Sequence, residues 1–82
     1  MPTLLQKDGF KFFFYANEHQ PRHVHVSKGD DYAKVDLGCF RVSVNFMNPK
    51  DLKKALAIIE AHNQQFEAEW DEWQTKRQGR TI

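Results

Sequence analysis

The spacing of apolar residues changes once along this chain, at Asn48-Pro49, and this change restricts the fold more than any other feature. Before it, apolar and polar residues alternate, as in strands with one buried face. After it, apolar residues recur every three or four positions, as in an amphipathic helix. Asn48 is a favourable N-cap, and Pro49 suits the first helical position. The order predicts an α+β domain in which a small antiparallel sheet precedes a helix.

Four segments before Asn48 have the pattern of strands. They are residues 10–15, 23–28, 31–37 and 40–46. Turn-forming residues separate them, so we expect a β-meander of about four strands. The last segment alternates most clearly and predicts one set of side chains facing the helix: Phe40, Val42, Val44 and Phe46. The first segment is apolar on both faces, and Phe13 and Tyr15 on its second face imply a central strand or a surface covered by a partner.

A single helix is predicted from residue 49 to about residue 78. Its apolar stripe consists of Leu52, Leu56, Ile59, Phe66, Trp70 and Trp73. Such a helix is about 45 Å long at 1.5 Å per residue, whereas a six-residue strand spans only about 20 Å. We therefore expect Phe66, Trp70 and Trp73 to form an interface, in a homodimer or with a second small protein. The alternative is a helix that breaks near Asn63-Gln64 and buries these aromatics within one chain.

The composition is that of one small globular domain spanning residues 1–82, with 40% hydrophobic and 28% charged residues. The net charge of +1 gives only weak support to nucleic acid as a partner. A single cysteine, Cys39, excludes an internal disulfide and favours a reducing compartment. No segment has the length and hydropathy of a membrane span or the pattern of a signal peptide. A cytoplasmic location is expected, without a membrane partner.

A histidine-rich turn carries most of the chemical potential of the sequence. The candidate functional cluster consists of Glu18, His19, Arg22, His23, His25 and His62. On a strand, His23 and His25 point to the same side, about 7 Å apart. Pro21 stiffens the turn that would bring His19 toward them. His62 lies on the helix stripe and should be at least half buried, close to the turn.

Three interpretations of these histidines remain open. They can act as a structural network in which one imidazole nitrogen donates and the other accepts a hydrogen bond. They can bind zinc or another divalent transition metal through His19, His23 and His25. Finally, two histidines can catalyse acid–base cleavage of a phosphodiester held by one of three cations. The candidate cations are Arg22, Lys28 and Lys34.

The run from Glu18 to Val26 contains the pattern E-H-x-P-x-H-x-H-V. Together with Met1-Pro2-Thr3, His62 and Trp70, it resembles the domain-of-unknown-function family numbered 4160. Arg22 and Val24 stand where that family usually has a second proline and an aromatic residue. The resemblance implies a small bacterial protein, often encoded beside a second small protein in an arrangement like a toxin–antitoxin pair.

The expected function is therefore that of a small regulatory or protein-binding module, such as a toxin–antitoxin-like component, acting through protein contacts. The alternative is a histidine-based metal-binding protein or a nuclease-like enzyme that cleaves phosphodiesters. The residues leave open whether the chain is an enzyme.

Overall fold

A computed structural model of the chain describes residues 3–15 and 21–79, with side chains described as far as Gln74. In this part of the chain an antiparallel sheet precedes two helices, which confirms the α+β class. The strands are β1 Thr3–Lys7, β2 Phe10–Phe13, β3 His23–Lys28, β4 Asp31–Asp36 and β5 Val42–Asn45. The helices are α1 Pro49–Ala61 and α2 Asn63–Gly79. The strands lie in the order β1-β2-β3-β4-β5, a simple meander.

The sheet has five strands where the sequence pattern predicted about four, because β1 pairs with β2 at one edge. The connecting turn is Asp8-Gly9, with φ values of 55° and 84°. A tight type I′ hairpin turn needs positive φ at both central residues, and Asp-Gly is among the sequences that tolerate this best. The dipeptide was the available signal for the extra strand.

One face of the sheet and both helices form the hydrophobic core. The strands and the residue that follows β2 contribute Phe10, Phe12, Phe14, Val24, Val26, Ala33 and Val35. The helices contribute Ala55, Ile58, Ile59, Phe66 and Trp70. Several of these side chains are large aromatics with no exposed surface, which lets a small domain bury enough apolar area to fold.

The predicted single helix of residues 49–78 is interrupted at His62, which has φ −114° and ψ 17°. Its N–H donates to Ile58 O at 3.1 Å and to Ile59 O at 3.2 Å, so the last turn of α1 tightens there. The N–H of Phe66 donates to His62 O at 3.0 Å, and helical bonding resumes at once. The prediction of one continuous helix is therefore wrong.

Phe66 and Trp70 have no exposed surface, so the expectation that they lie exposed as an interface is wrong. Phe66 packs on Phe12 with ring centroids 5.6 Å apart, and Trp70 packs edge-on against Phe14 at 5.1 Å. The length estimate failed because it compared the helix with one strand rather than with a five-stranded sheet and its flanking segments. Trp73 is partly buried. An association through α2 would have to use other side chains.

A β-bulge changes the face of the last strand. Val35 pairs with Val42, whereas Lys34 pairs with Val44, so one extra residue lies on β5 between these pairs. Such an insertion moves the residues beyond it to the other face of the sheet. Phe46 is consequently 72% exposed, and Met47 is buried in its place. The prediction that Val44 and Phe46 face the helices with Val42 is wrong.

The start of α1 is as the sequence indicated. Asn48 Oδ1 accepts a hydrogen bond from the backbone N–H of Asp51 at 2.8 Å, and Asn48 Nδ2 donates to Asp51 Oδ2 at 3.1 Å. Pro49 occupies the first turn, where no N–H is needed. Within the described residues, neither helix combines the length and apolar character needed to cross a membrane.

Candidate functional site

Two buried histidines on β3 form the centre of the candidate site. His23 and His25 are 3% and 4% exposed, and their rings are perpendicular, with centroids 5.0 Å apart. The period of the strand places both side chains on the same face, as the sequence predicted. We call these two residues, together with Tyr32 and Trp70, the paired-histidine site.

The imidazole of His23 has a fixed orientation. Its Nδ1 lies 2.8 Å from Pro21 O. Because a carbonyl oxygen only accepts, Nδ1 carries the hydrogen, and in the neutral ring the lone pair is on Nε2. The ring also packs against the indole of Trp70 at 4.9 Å. Pro21 thus orients the next histidine through its backbone carbonyl.

The imidazole of His25 lies among aromatic side chains. Its Nδ1 is hydrogen-bonded to the Tyr32 hydroxyl at 2.6 Å, and the two rings stack with centroids 5.8 Å apart. Tyr15 approaches edge-on at 4.4 Å, and Phe13 stacks at 5.4 Å. His25 is therefore held by packing as well as by a short hydrogen bond.

Arg22 is paired with α2. Its Nε and Nη2 donate to the two carboxylate oxygens of Asp71, both at 3.1 Å, and its Nη1 lies 3.5 Å from Glu67 Oε2. A bidentate pair fixes the plane of the guanidinium. The ion pairs of Arg22 therefore connect the segment before β3 to α2, and its guanidinium makes its strongest contacts with carboxylates.

Lys28 is also engaged. Its Nζ lies 3.1 Å from Asp51 Oδ1 and 5.1 Å from the centroid of the Phe10 ring. This hydrogen bond, more than any other influence, holds the pKa of Asp51 below its ordinary value of 3.8. Of the three cations considered as phosphate holders, Arg22 precedes His23 but is paired with carboxylates of α2, whereas Lys34 lies directly opposite His25 on β4.

His62 is partly buried, as predicted, at the junction of the two helices. Its Nδ1 is hydrogen-bonded to Ile58 O at 3.0 Å, and its ring stacks on Phe66 at 6.1 Å. Phe66 belongs to the core on the helix side of the sheet, whereas His25 lies on the opposite face. These contacts place His62 on the side of the sheet away from His25.

Glu18 and His19 lie outside the described residues. Within the described ranges, no group of three or more His, Cys, Asp or Glu side chains could hold a metal ion. The described members of the proposed ligand set are His23 and His25, and His19 would have to supply the third nitrogen.

The other face of the sheet, opposite the helices, contains a group of residues that the sequence interpretation only partly identified. We call it the helix-free face, formed by Lys11, Phe13, Tyr15, His25, Tyr32, Lys34, Asp36, Val44 and Phe46. Among the described residues, Tyr15 and Phe46 are the exposed large hydrophobic side chains, at 46% and 72%. Strand alternation in the sequence indicated that Phe13, Tyr15, Tyr32 and Lys34 lie on this face. It did not indicate Val44 and Phe46, because the β-bulge in β5 moves them to this side.

These features define a small α+β meander domain with two helices on one face of its sheet and a buried histidine pair on a central strand. The chain belongs to the family described as Domain of unknown function (DUF4160), whose model matches residues 9–71. That match extends from the turn before β2 into α2 and confirms the resemblance seen in the sequence. No curated protein and no solved structure gives a significant match.

Proposed function

We propose that this protein is a small regulatory, protein-binding module that engages a second protein through its helix-free face. The observation that carries this proposal is the exposure of Phe46 and Tyr15, 72% and 46%, on the face opposite the helices. His25 and Tyr32 connect these two residues across the face, because Tyr15 contacts His25, His25 stacks on Tyr32, and Tyr32 O accepts a hydrogen bond from the N–H of Phe46. A continuous surface that carries exposed aromatics is typical of interaction sites.

The helix-free face is also well ordered for binding. His25 lies near its middle, where its hydrogen bond to Tyr32 and its contacts with Phe13 and Tyr15 hold several rings in place. A surface whose side chains are fixed before association loses less conformational entropy when a partner binds. In this proposal the histidine is a supporting residue for the interface.

The family resemblance supports a partner of a particular kind. It implies a second small protein encoded beside this one, as in a toxin–antitoxin pair. Such a complex requires complementary surfaces on both proteins, and the helix-free face is suited to that role.

Co-expression with the small protein encoded by the neighbouring gene tests the proposal. We expect a complex that elutes as one species in size-exclusion chromatography with light scattering. Phe46→Glu should weaken it at least tenfold, because it places a charge where apolar contact is needed. Ala57→Glu is the matched control, since Ala57 is exposed on α1. A complex that survives Phe46→Glu but is lost with Ala57→Glu would place the interface on the helices instead.

A second candidate is a divalent metal site at His23 and His25. It is favoured by the hydrogen bonds that both Nδ1 atoms make, to Pro21 O and to the Tyr32 hydroxyl. Partners of this kind commonly orient metal-binding imidazoles. Elemental analysis of protein purified without chelators, and calorimetric titration with zinc of wild type and His23→Gln, test it. Stoichiometric zinc binding by wild type that is lost in His23→Gln supports the metal site. If wild type binds no zinc, the metal site is refuted.

A further inference from the structure

The charges on the helix-free face point to the chemistry of the partner, an inference that rests on the proposed function. Three cations lie at the helix-free face. Lys11 and Lys34 are on the face itself. Arg41 lies beside Asp36, since Arg41 O accepts a hydrogen bond from the N–H of Asp36 at 2.7 Å. Asp36 is the one carboxylate on the face in the described strands. The balance on this face is therefore positive, although the whole chain is nearly neutral.

The lysines of the helix-free face differ from the other cations near the sheet in whether a carboxylate neutralises their charge. Arg22 and Lys28 are neutralised by carboxylates of the helices. Lys34 lies in the middle of the face, opposite His25 on one side and Val44 on the other, and Lys11 lies 5.8 Å from the Phe13 ring. Within the described part of the chain, neither lysine has a carboxylate in salt-bridge contact.

We propose that the helix-free face binds an acidic and apolar protein segment, with at least one Asp or Glu placed against Lys34 and apolar side chains placed against Phe46 and Tyr15. Complementary charge across an interface raises the association rate and excludes wrongly charged partners. The exposed rings supply the apolar contact that a lone lysine cannot provide.

A second copy of this chain is a poor occupant for the same face. A two-fold symmetric dimer brings the same patch of both copies together. An axis through the middle of the face would place Lys34 against its equivalent, and like charges facing each other oppose association. A hetero-partner with carboxylates avoids this repulsion.

Nucleic acid is also disfavoured. Its affinity depends on many phosphate contacts by cations. The helix-free face offers few cations, and the nearby Arg22 and Lys28 are already paired. A protein segment needs only one or two carboxylates together with apolar groups.

Selection of peptides from a random library tests the proposal. Wild-type protein should select peptides that combine Asp or Glu with aromatic or aliphatic residues and that lose binding to Phe46→Glu. Lys34→Glu should bind these peptides roughly tenfold more weakly, or select basic ones, because it reverses the charge at the centre of the face. Lys34→Gln provides a milder variant, and circular dichroism of each variant establishes that it is folded.

The outcomes separate this inference from the proposed function. Peptides that depend on Phe46 but show no acidic preference, with Lys34→Glu binding normally, would overturn the inference and leave the binding face intact. If no selected peptide depends on Phe46, the binding face itself is refuted. Fluorescence anisotropy with a labelled oligothymidylate tests for nucleic-acid binding, and sedimentation of the isolated protein tests for a dimer. Tight oligonucleotide binding or a dimer, either one abolished by Phe46→Glu, would overturn the acidic-segment proposal.

Discussion

The imidazole of His23 packs against the indole of Trp70, with ring centroids 4.9 Å apart and planes at 59°. This contact joins the histidine-rich segment before β3 to the second helix. Arg22 reinforces it from the neighbouring position through its bidentate pair with Asp71. The position of the histidine pair and the packing of α2 are therefore expected to depend on each other.

Trp70→Ala should destabilise the protein by about 3–5 kcal/mol, because it removes a fully buried aromatic that contacts both Phe14 and His23. Urea denaturation measures the free energy of unfolding. Trp73→Ala is the matched control, with a smaller expected loss since Trp73 is only partly buried. Equal losses in the two variants would contradict the packing of α2.

Tyr32→Phe should cost about 1–3 kcal/mol, because it leaves Nδ1 of the buried His25 without its 2.6 Å hydrogen bond. Replacing both partners in a Tyr32→Phe, His25→Phe variant should cost less than the sum of the single changes. Chemical denaturation of all four proteins in a double-mutant cycle gives the coupling energy. A coupling energy of zero would show that the hydrogen bond contributes nothing to stability.

Asp51 should make stability depend on pH. Its pKa is lowered from 3.8 in the fold, chiefly by the hydrogen bond from Lys28. A carboxyl whose folded pKa is depressed stabilises the fold above its unfolded pKa, and this contribution is lost as the pH falls through the folded value. The difference in unfolding free energy between wild type and Asp51→Asn should therefore be constant near neutrality and shrink below pH 3.8.

The measurement is denaturation at a series of pH values. Asp30→Asn, in the exposed turn between β3 and β4, serves as the control for losing a surface carboxylate. A difference between wild type and Asp51→Asn that persists unchanged in strong acid would show that the Lys28 pair does not act through ionisation.

Asn48→Ala should destabilise the protein by about 0.5–2 kcal/mol, because it removes the side-chain acceptor for the N–H of Asp51 at the start of α1. Asn48→Ser should retain most of the stability, since serine also caps helices well. Thermal denaturation of the two variants provides the comparison. If serine is as damaging as alanine, the bond from Asn48 Nδ2 to Asp51 is the more important one.

Local signals predicted much of the fold. The change of period at Asn48-Pro49 and the strand alternation gave the α+β class, the start of α1 and the shared face of His23 and His25. The strand β1 was missed even though Asp8-Gly9 is a hairpin signal, because Thr3–Lys7 has two adjacent leucines and lacks the apolar–polar alternation of a strand. The interruption at His62 has no proline or glycine to announce it. It depends on backbone bonds to Ile58 and Ile59 and on tertiary packing of Phe66.

The candidate site was harder to anticipate. The sequence indicated which residues of β3 are neighbours, but not that the carboxylates of α2 pair with Arg22, since that pairing crosses a long stretch of chain. The exposure of Phe46 was also hidden. An alternating pattern specifies a face only while the register is regular, and the bulge opposite Lys34 and Val35 breaks it.

The bulge in β5 also makes the surface sensitive to the pairing of this strand. If Ser43 paired with Lys34, the bulge would be lost and the residues that follow would exchange faces, turning Phe46 toward the helices and Met47 outward. Such a one-residue shift would alter what the sheet presents to other molecules while leaving every residue of β2, β3 and β4 unchanged. Deleting Ser43 should instead keep Val42 opposite Val35 and Val44 opposite Lys34, and so leave Phe46 exposed.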